Sequence, residues 1–321
     1  MSPADGGVQV GWSGGDAGGE VNLERTSRRK VIMAKEVGFC FGVKRAINLT
    51  KQALSERGDV FILGDLVHNK RVTDELEGKG LRKVEDYGDQ KGTMVIRAHG
   101  LPKAKIQEAK NQGLEVVDAT CPIVLRAQEA AQTLERDGYQ VVIIGDRNHA
   151  EIKGILGALE SPALVVDNIE ELHEAKANYT LMRKVGVIFQ TTHALELCNA
   201  IVNEMLMMCK EIRIINTICR PVQNRQDDAV ELASKVQLMV VVGSRTSANT
   251  VELAALCRHY NNNTVQVQNA DELEYEIFRD CEVVGLASGL STPEDLVEAV
   301  RQKILYYDAE PVAADAELVT A

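Results

Sequence analysis

Apolar residues along this chain fall into two patterns that alternate. Short continuous runs such as Val141-Val-Ile-Ile144 and Leu238-Met-Val-Val-Val242 suit strands buried on both faces, and stretches with three- and four-residue apolar spacing suit amphipathic helices. Alternation of the two predicts βαβ units and mainly parallel sheets, an α/β fold. One register recurs three times. The segments Val31–Cys40, Leu114–Cys121 and Ile212–Cys219 each end on a cysteine, followed by amphipathic stretches over 43–57, 122–136 and 222–236. Short apolar strands then end in glycine at Val60–Gly64, Val141–Gly145 and Leu238–Gly243. The interval from cysteine to glycine is 24 residues each time, and four residues further stand His68, His149 and Ser247.

The parallel extends through each unit. A helix follows each of those polar residues, then a strand at Leu81–Asp86, Ala163–Asp167 or Thr264–Gln268. A further apolar strand ends in polar groups at Ile96–Gly100, Ile188–Thr192 and Gly285–Ser291. Three α/β lobes related by a pseudo-threefold axis follow, over 41–121, 122–218 and 219–307. The last helix, Pro293–Tyr306, has no strand after it, so the N-terminal strand 31–40 is expected to complete the third lobe. Ligands of open α/β sheets collect beyond the carboxyl ends of the strands. Three such lobes would bring the cysteines and the strand-end polar residues to one central cavity.

Composition is that of a globular protein, 45% hydrophobic with 4% aromatics, and 321 residues suffice for a substantial core. The formal net charge of −11 argues against nucleic acid or an anionic membrane as the main partner. No apolar run approaches the roughly 20 residues of a membrane span. Residues 1–30 are glycine-rich, then basic, with no apolar core of a secretory signal, and read as a disordered extension; 308–321 read as an acidic tail. Seven cysteines without an export signal point to a reducing compartment, the cytoplasm, where thiols pack, catalyse or bind metal.

The three register cysteines open helices, where the dipole favours thiolate. Three thiolates from distant segments suit an iron–sulfur cluster with one iron lacking a protein ligand, whereas structural zinc takes four ligands, usually in paired spacing. Cys198, Cys209, Cys257 and Cys281 read instead as small buried hydrophobes. His68, His99 and His149 end strands and offer donors to an anion. His173 and His259 read as structural or exposed; His193, directly after Thr191-Thr192, reads so too, with an approach to the cavity as the minor alternative. Glu151 is the carboxylate placed to act as a proton source.

These residues lie in motifs that together resemble the hydroxymethylbutenyl diphosphate reductase family of the LytB/IspH type. The motifs are Gly38-Phe-Cys-Phe-Gly-Val43, Val67-His-Asn69, Ala98-His-Gly100, Asp118-Ala-Thr-Cys-Pro122, His149-Ala-Glu151, Gln190-Thr-Thr192, Thr217-Ile-Cys219 and Asn224-Arg-Gln226. The resemblance runs from about Val31 to Tyr306. It implies a [4Fe–4S] cluster on Cys40, Cys121 and Cys219 with one open iron. It also implies reduction of (E)-4-hydroxy-3-methylbut-2-enyl diphosphate to isopentenyl and dimethylallyl diphosphate, the last step of the non-mevalonate isoprenoid pathway. Glu151 then maps to the proton donor with Thr191 beside it, and His68, His99, His149, Ser247, Asn249 and Ser291 to the diphosphate pocket. An electron donor such as flavodoxin or ferredoxin is implied. Ala248 stands where the family commonly has serine, and Pro221-Val222 where it has Ala-Thr. Two rival readings are a cluster-dependent dehydrating enzyme resembling quinolinate synthase, for which arginine forks toward dicarboxylates are expected, and a non-catalytic iron–sulfur redox sensor.

Overall fold

The computed structural model describes residues 29–306 apart from Asp89 and Arg279. The chain opens with β1 (Lys30–Met33) and α1 (Phe41–Glu56). The first complete sheet comprises β2 (Val60–Leu63), β3 (Arg82–Val84), β4 (Thr93–Ile96) and β5 (Glu115–Asp118), with α2 (Lys70–Gly78) and α3 (Lys103–Asn111) between them. Next, α4 (Pro122–Arg136) leads into β6 (Gln140–Ile144), β7 (Leu164–Val166), β8 (Lys184–Phe189) and β9 (Glu211–Ile214). Their connections are α5 (Ala150–Leu156), α6 (Ile169–Ala177) and α7 (Leu195–Leu206). Finally α8 (Arg220–Ala233) precedes β10 (Leu238–Val242), α9 (Ala248–Tyr260), β11 (Thr264–Val267), α10 (Tyr275–Phe278), β12 (Val283–Ser288) and α11 (Glu294–Tyr306).

Three four-stranded sheets result, ordered β3-β2-β4-β5, β7-β6-β8-β9 and β11-β10-β12-β1. Every strand pair in them is parallel. The order is the same in all three, and the fourth strand of the third sheet is the first strand of the chain, with Lys30 opposite Val283 and Met33 opposite Leu286. Apolar clusters cover both faces of each sheet, which is why the strands are continuously apolar rather than alternating. In a sheet of this order the chain reverses direction of winding between its first and third strands, and the crevice beyond their ends is the place for a ligand.

The structure corrects several expected boundaries. The extended runs before the cysteines are strand only over Lys30–Met33, Glu115–Asp118 and Glu211–Ile214. The intervening residues leave the sheet because the chain must cross to the helix of the next unit. β3 is likewise confined to Arg82–Val84. The extension expected over 1–30 and the tail over 308–321 lie outside the described residues, except that Arg29 is buried against the Phe278 ring and Lys30 already belongs to β1.

The repeats exchange volume at one position. Gly186 in β8 faces Leu134 of α4 so closely that a Cβ would lie 2.8 Å from the leucine Cβ. In the third sheet Gly285 of β12 is similarly tight against Leu232 of α8, at 3.1 Å from its Cγ. In the first, Thr93 occupies the corresponding register, and α1 carries Ala53 at the place of the leucines. In two units a large helix residue faces a glycine; in the first, alanine and threonine hold the corresponding places. Gly186→Ala is therefore expected to cost about 1–3 kcal/mol by overpacking. Adding Leu134→Ala should recover part of that loss. Urea unfolding of the two single variants and the double would show the non-additivity.

Candidate functional site

The three crevices converge on one cavity of about 690 Å³. Each sheet contributes from the ends of its first and third strands. His68 and His99 follow β2 and β4; His149, Glu151 and Thr191 follow β6 and β8; Ser247, Asn249 and Ser291 follow β10 and β12. Cys40, Cys121 and Cys219 line the same space. All eleven residues singled out from the sequence are thus brought together, and their distribution follows from the strand order.

Each cysteine is the N-cap of the helix that opens a new unit. At Cys40 the sulfur accepts from the Val43 N–H at 3.5 Å. The first turns of α1, α4 and α8 contain no acidic residue, so nothing neutralises the positive end of the dipole near the thiols. Burial nevertheless pushes the Cys121 thiol up and Cys219 to about 12, with each further disfavoured by neighbouring cysteines. Thiols held this way ionise when a cation neutralises them, as a coordinated metal does. Gly42 keeps the centre open: a Cβ there would lie 2.6 Å from the Cys121 sulfur and 3.9 Å from that of Cys40. Val222, Leu290 and Ile123 pack around Cys40 and Cys219 and form an apolar lining. Three thiols, an apolar wall and a glycine that leaves them room suit a metal or iron–sulfur group.

The carboxyl of Glu151 is almost wholly buried, at 1% exposure. Thr191 gives it both available bonds, backbone N–H to Oε1 and hydroxyl to Oε2, each at 2.7 Å. Burial raises the Glu151 pKa, and the Thr191 bonds oppose that by favouring the carboxylate. Of the two effects burial is the larger, so the neutral carboxyl is favoured beyond its usual range.

The imidazoles of His68, His99 and His149 cluster with centroids 4.6, 5.4 and 5.8 Å apart. Their ring nitrogens lie within 4.8 Å of one another. Burial lowers the pKa of all three, that of His149 to about 4, and the rings also disfavour one another's charging. They are neutral near pH 7. His149 Nδ1 accepts the Glu151 N–H at 3.3 Å, which leaves the ring proton on Nε2. His68 Nε2, His99 Nδ1 and Asn249 Nδ2 are buried without a partner, the signature of groups that await a polar ligand. Ser291 Oγ reaches the His68 carbonyl at 3.4 Å, and Asn69 Nδ2 donates to the Ser291 carbonyl at 2.8 Å, tying the first unit to the third.

Both departures from the expected motif line or flank the site. Ala248 opens α9 on the cavity wall, beside the unpartnered Asn249 amide. Val222 is buried in the lining, while Pro221 lies on an outer cleft shared with Cys40. His193 does not line this cavity; its Nε2 meets Asp167 Oδ1 at 2.8 Å on an adjoining one. Cys198 and Cys257 are buried as expected, but Cys209 and Cys281 are half-exposed. The lining residues Gly42 and Leu290 were not assigned to the site from the sequence, because apolar residues and glycine look alike in a core and in a cavity wall. Arg225 was missed as a support. Buried to 3% exposure, it donates from Nη1 to the carbonyls of Gly38, Ser288 and Gly289 at 2.9–3.1 Å and so fixes the turn that presents Cys40.

Fold and site together define a three-unit α/β protein whose central cavity joins a cysteine trio, a buried acid and a cluster of neutral histidines. The family model described as "LytB protein" matches residues 31–305. The chain belongs to that family. A 4-hydroxy-3-methylbut-2-enyl diphosphate reductase of Geobacter sulfurreducens is 41% identical over 280 residues, 87% of this chain and 98% of the relative. The enzyme of the same name from Aquifex aeolicus is 37% identical over 279 residues, 85% and 95% of the two chains. A solved structure of (E)-4-hydroxy-3-methyl-but-2-enyl diphosphate reductase, the terminal enzyme of the non-mevalonate pathway, superposes with a TM-score of 0.64 at 37% identity, covering 86% of this chain and 99% of the other. The Plasmodium falciparum reductase structure gives 0.81 at 26% identity, with 87% and 90% covered.

Thr191→Val removes the hydroxyl bond that favours the Glu151 carboxylate and leaves the backbone bond. The Glu151 pKa should rise further. Infrared titration of the buried carboxyl band would detect this, and an unchanged or lowered midpoint would refute the role given to Thr191.

Proposed function

We propose that this protein reduces (E)-4-hydroxy-3-methylbut-2-enyl diphosphate to isopentenyl and dimethylallyl diphosphate, taking up two electrons and two protons and releasing water. The observation that carries the reading is the meeting, in one cavity, of Cys40, Cys121 and Cys219 with Glu151 and the three neutral histidines. Family membership and relatives of 37–41% identity over nearly their whole length support it.

Cys40, Cys121 and Cys219 would hold an iron–sulfur cluster, read here as [4Fe–4S]. Such a cluster would relay the electrons and supply Lewis acidity toward the substrate hydroxyl. The rest falls to the chain's own side chains. His68, His99 and His149 donate ring N–H bonds to diphosphate oxygens, and Ser247, Asn249 and Ser291 complete the grip from the third unit. The apolar lining of Val43, Ile123, Val222 and Leu290 takes the hydrocarbon and keeps water out. Glu151 gives its proton to the departing hydroxyl, because water leaves far more readily than hydroxide, and Thr191 steadies the carboxylate that remains. Electrons come from an external donor such as flavodoxin or ferredoxin. Among the described residues no helix is long and apolar enough to cross a membrane.

The rival dicarboxylate reading needs a cationic fork for each carboxylate; no arginine or lysine lines this cavity among the described residues, and of the two arginines on the adjoining one Arg245 is held by Glu272, which leaves one fork at most. A redox sensor would give no reason to bury Glu151.

The direct test is turnover of the allylic diphosphate by anaerobically reconstituted protein with a strong artificial reductant, products resolved by chromatography. Failure of well-loaded protein to form either product would sink the assignment. Cys121→Ser should lose most of its iron, whereas Cys257→Ser, altered at a buried thiol in another core, should keep it.

Glu151→Gln should lower turnover by about 10²–10⁴-fold, the usual worth of positioned acid catalysis, with iron content unchanged. The same substitution should raise stability at pH 8. A carboxyl whose folded pKa exceeds its unfolded value favours folding below the unfolded pKa and loses that contribution as pH rises through the folded one. The stability difference should therefore shrink at pH 4.5, as thermal melts at both values would show.

A further inference from the structure

The cavity lacks the charge its ligand requires. No lysine or arginine lines it among the described residues, its three histidines are neutral, and the chain's formal net charge is −11. A diphosphate ester brings several negative charges, and neutral donors alone repay only part of the cost of desolvating them.

A second cavity, of about 1080 Å³, shares His68, His149, Thr192 and Ala248 with the first. Arg97 lines it, half-buried at the end of β4 and two residues before His99. Its Nε makes one long bond, 3.4 Å, to the Gly100 carbonyl. Nη1 lies 3.3 Å from where a Cβ on Gly64 would be, so the absence of a side chain there leaves the guanidinium its place. Among the described residues no carboxylate comes within ion-pair distance of Arg97. Asp65, the acid whose field it feels, is held by Lys83 at 2.6 Å.

The other cations of this cavity differ. Arg245 is committed to Glu272 through two 2.8 Å bonds, and Lys153 is exposed on α5. Of its two acids, Asp146 and Glu252, the first turns its carboxylate to the Asn148 N–H at 2.8 Å, and neither pairs with Arg97. Arg97, in contrast, sits close enough that its charge bears on all three histidines. A half-buried guanidinium without a counter-ion, beside a cluster of unpartnered neutral donors, is built to meet an anion.

We propose that Arg97 is a binding residue for the diphosphate, supplying from the second cavity the formal positive charge that the histidine cluster lacks. The inference rests on the reductase reading above and adds a contact that the sequence motifs did not single out.

The test is calorimetric titration of iron-loaded protein with inorganic pyrophosphate, which needs no turnover. Arg97→Gln should weaken binding roughly 10- to 100-fold, the range for one hydrogen bond to a charged group, and flatten its dependence on salt. Arg97→Lys keeps the charge and should fall between, with the salt dependence of the unaltered protein. It also serves if the glutamine variant folds poorly. Arg136→Gln, exposed at the far end of α4, controls for net charge and should bind normally. Equal binding by Arg97→Gln would overturn the proposal. So would a buffer-dependent heat of proton uptake that persists unchanged in that variant, because the histidines would then supply the charge. Absence of pyrophosphate binding by the unaltered protein would overturn the diphosphate reading and this inference with it.

Discussion

The structure depends on one constraint: the chain passes from one sheet to the next at a cysteine that caps a helix. Cys40, Cys121 and Cys219 each stand between the fourth strand of one sheet and the first helix of the following unit. The third unit closes on the first because β1 completes its sheet. This circular exchange holds the three helix starts around a common centre. A displacement of any one unit would move a cap and a strand end together. That is why the Asn69–Ser291 bond ties the first unit to the third, while Arg225 fastens the Cys40 turn to the end of β12 within the third.

A centre built this way gathers polar groups that have no water to answer them. The cost shows as a carboxyl that resists ionising, thiols pushed toward the neutral form and imidazoles that resist protonation. Desolvation acts alike on the three kinds of group: a buried acid keeps its proton to higher pH, buried thiols ionise only beside a cation, and neutral imidazoles keep their N–H donors. Stability is traded for these states, as is common at active sites.

The pseudo-threefold repeat is not carried into function. Equivalent strand ends supply histidines in the first unit, an acid and threonine with one histidine in the second, and hydroxyl and amide groups in the third. Shared backbone geometry lets each unit present a different set of side chains to the one cavity. The core shows the same freedom, with Leu134 facing Gly186 in the second unit and Ala53 and Thr93 at the corresponding places of the first.

Much of this was legible in the chain itself. The 24-residue registers, set by strand and helix lengths, gave the three units, the missing fourth strand of the last sheet and the cysteines' common place. Motif order around those cysteines pointed to the family, later matched over residues 31–305. Periodicity is a local property, and helix starts and strand ends follow from it. What it could not give was anything that depends on distances between units. The lining by Gly42 and Leu290, the hold of Arg225 on the Cys40 turn and the lone guanidinium of Arg97 join residues far apart in sequence or turn on space left empty. The directions in which buried groups shift are of the same kind. Desolvation belongs to the assembled cavity, and no segment carries it until the three sheets have closed around it.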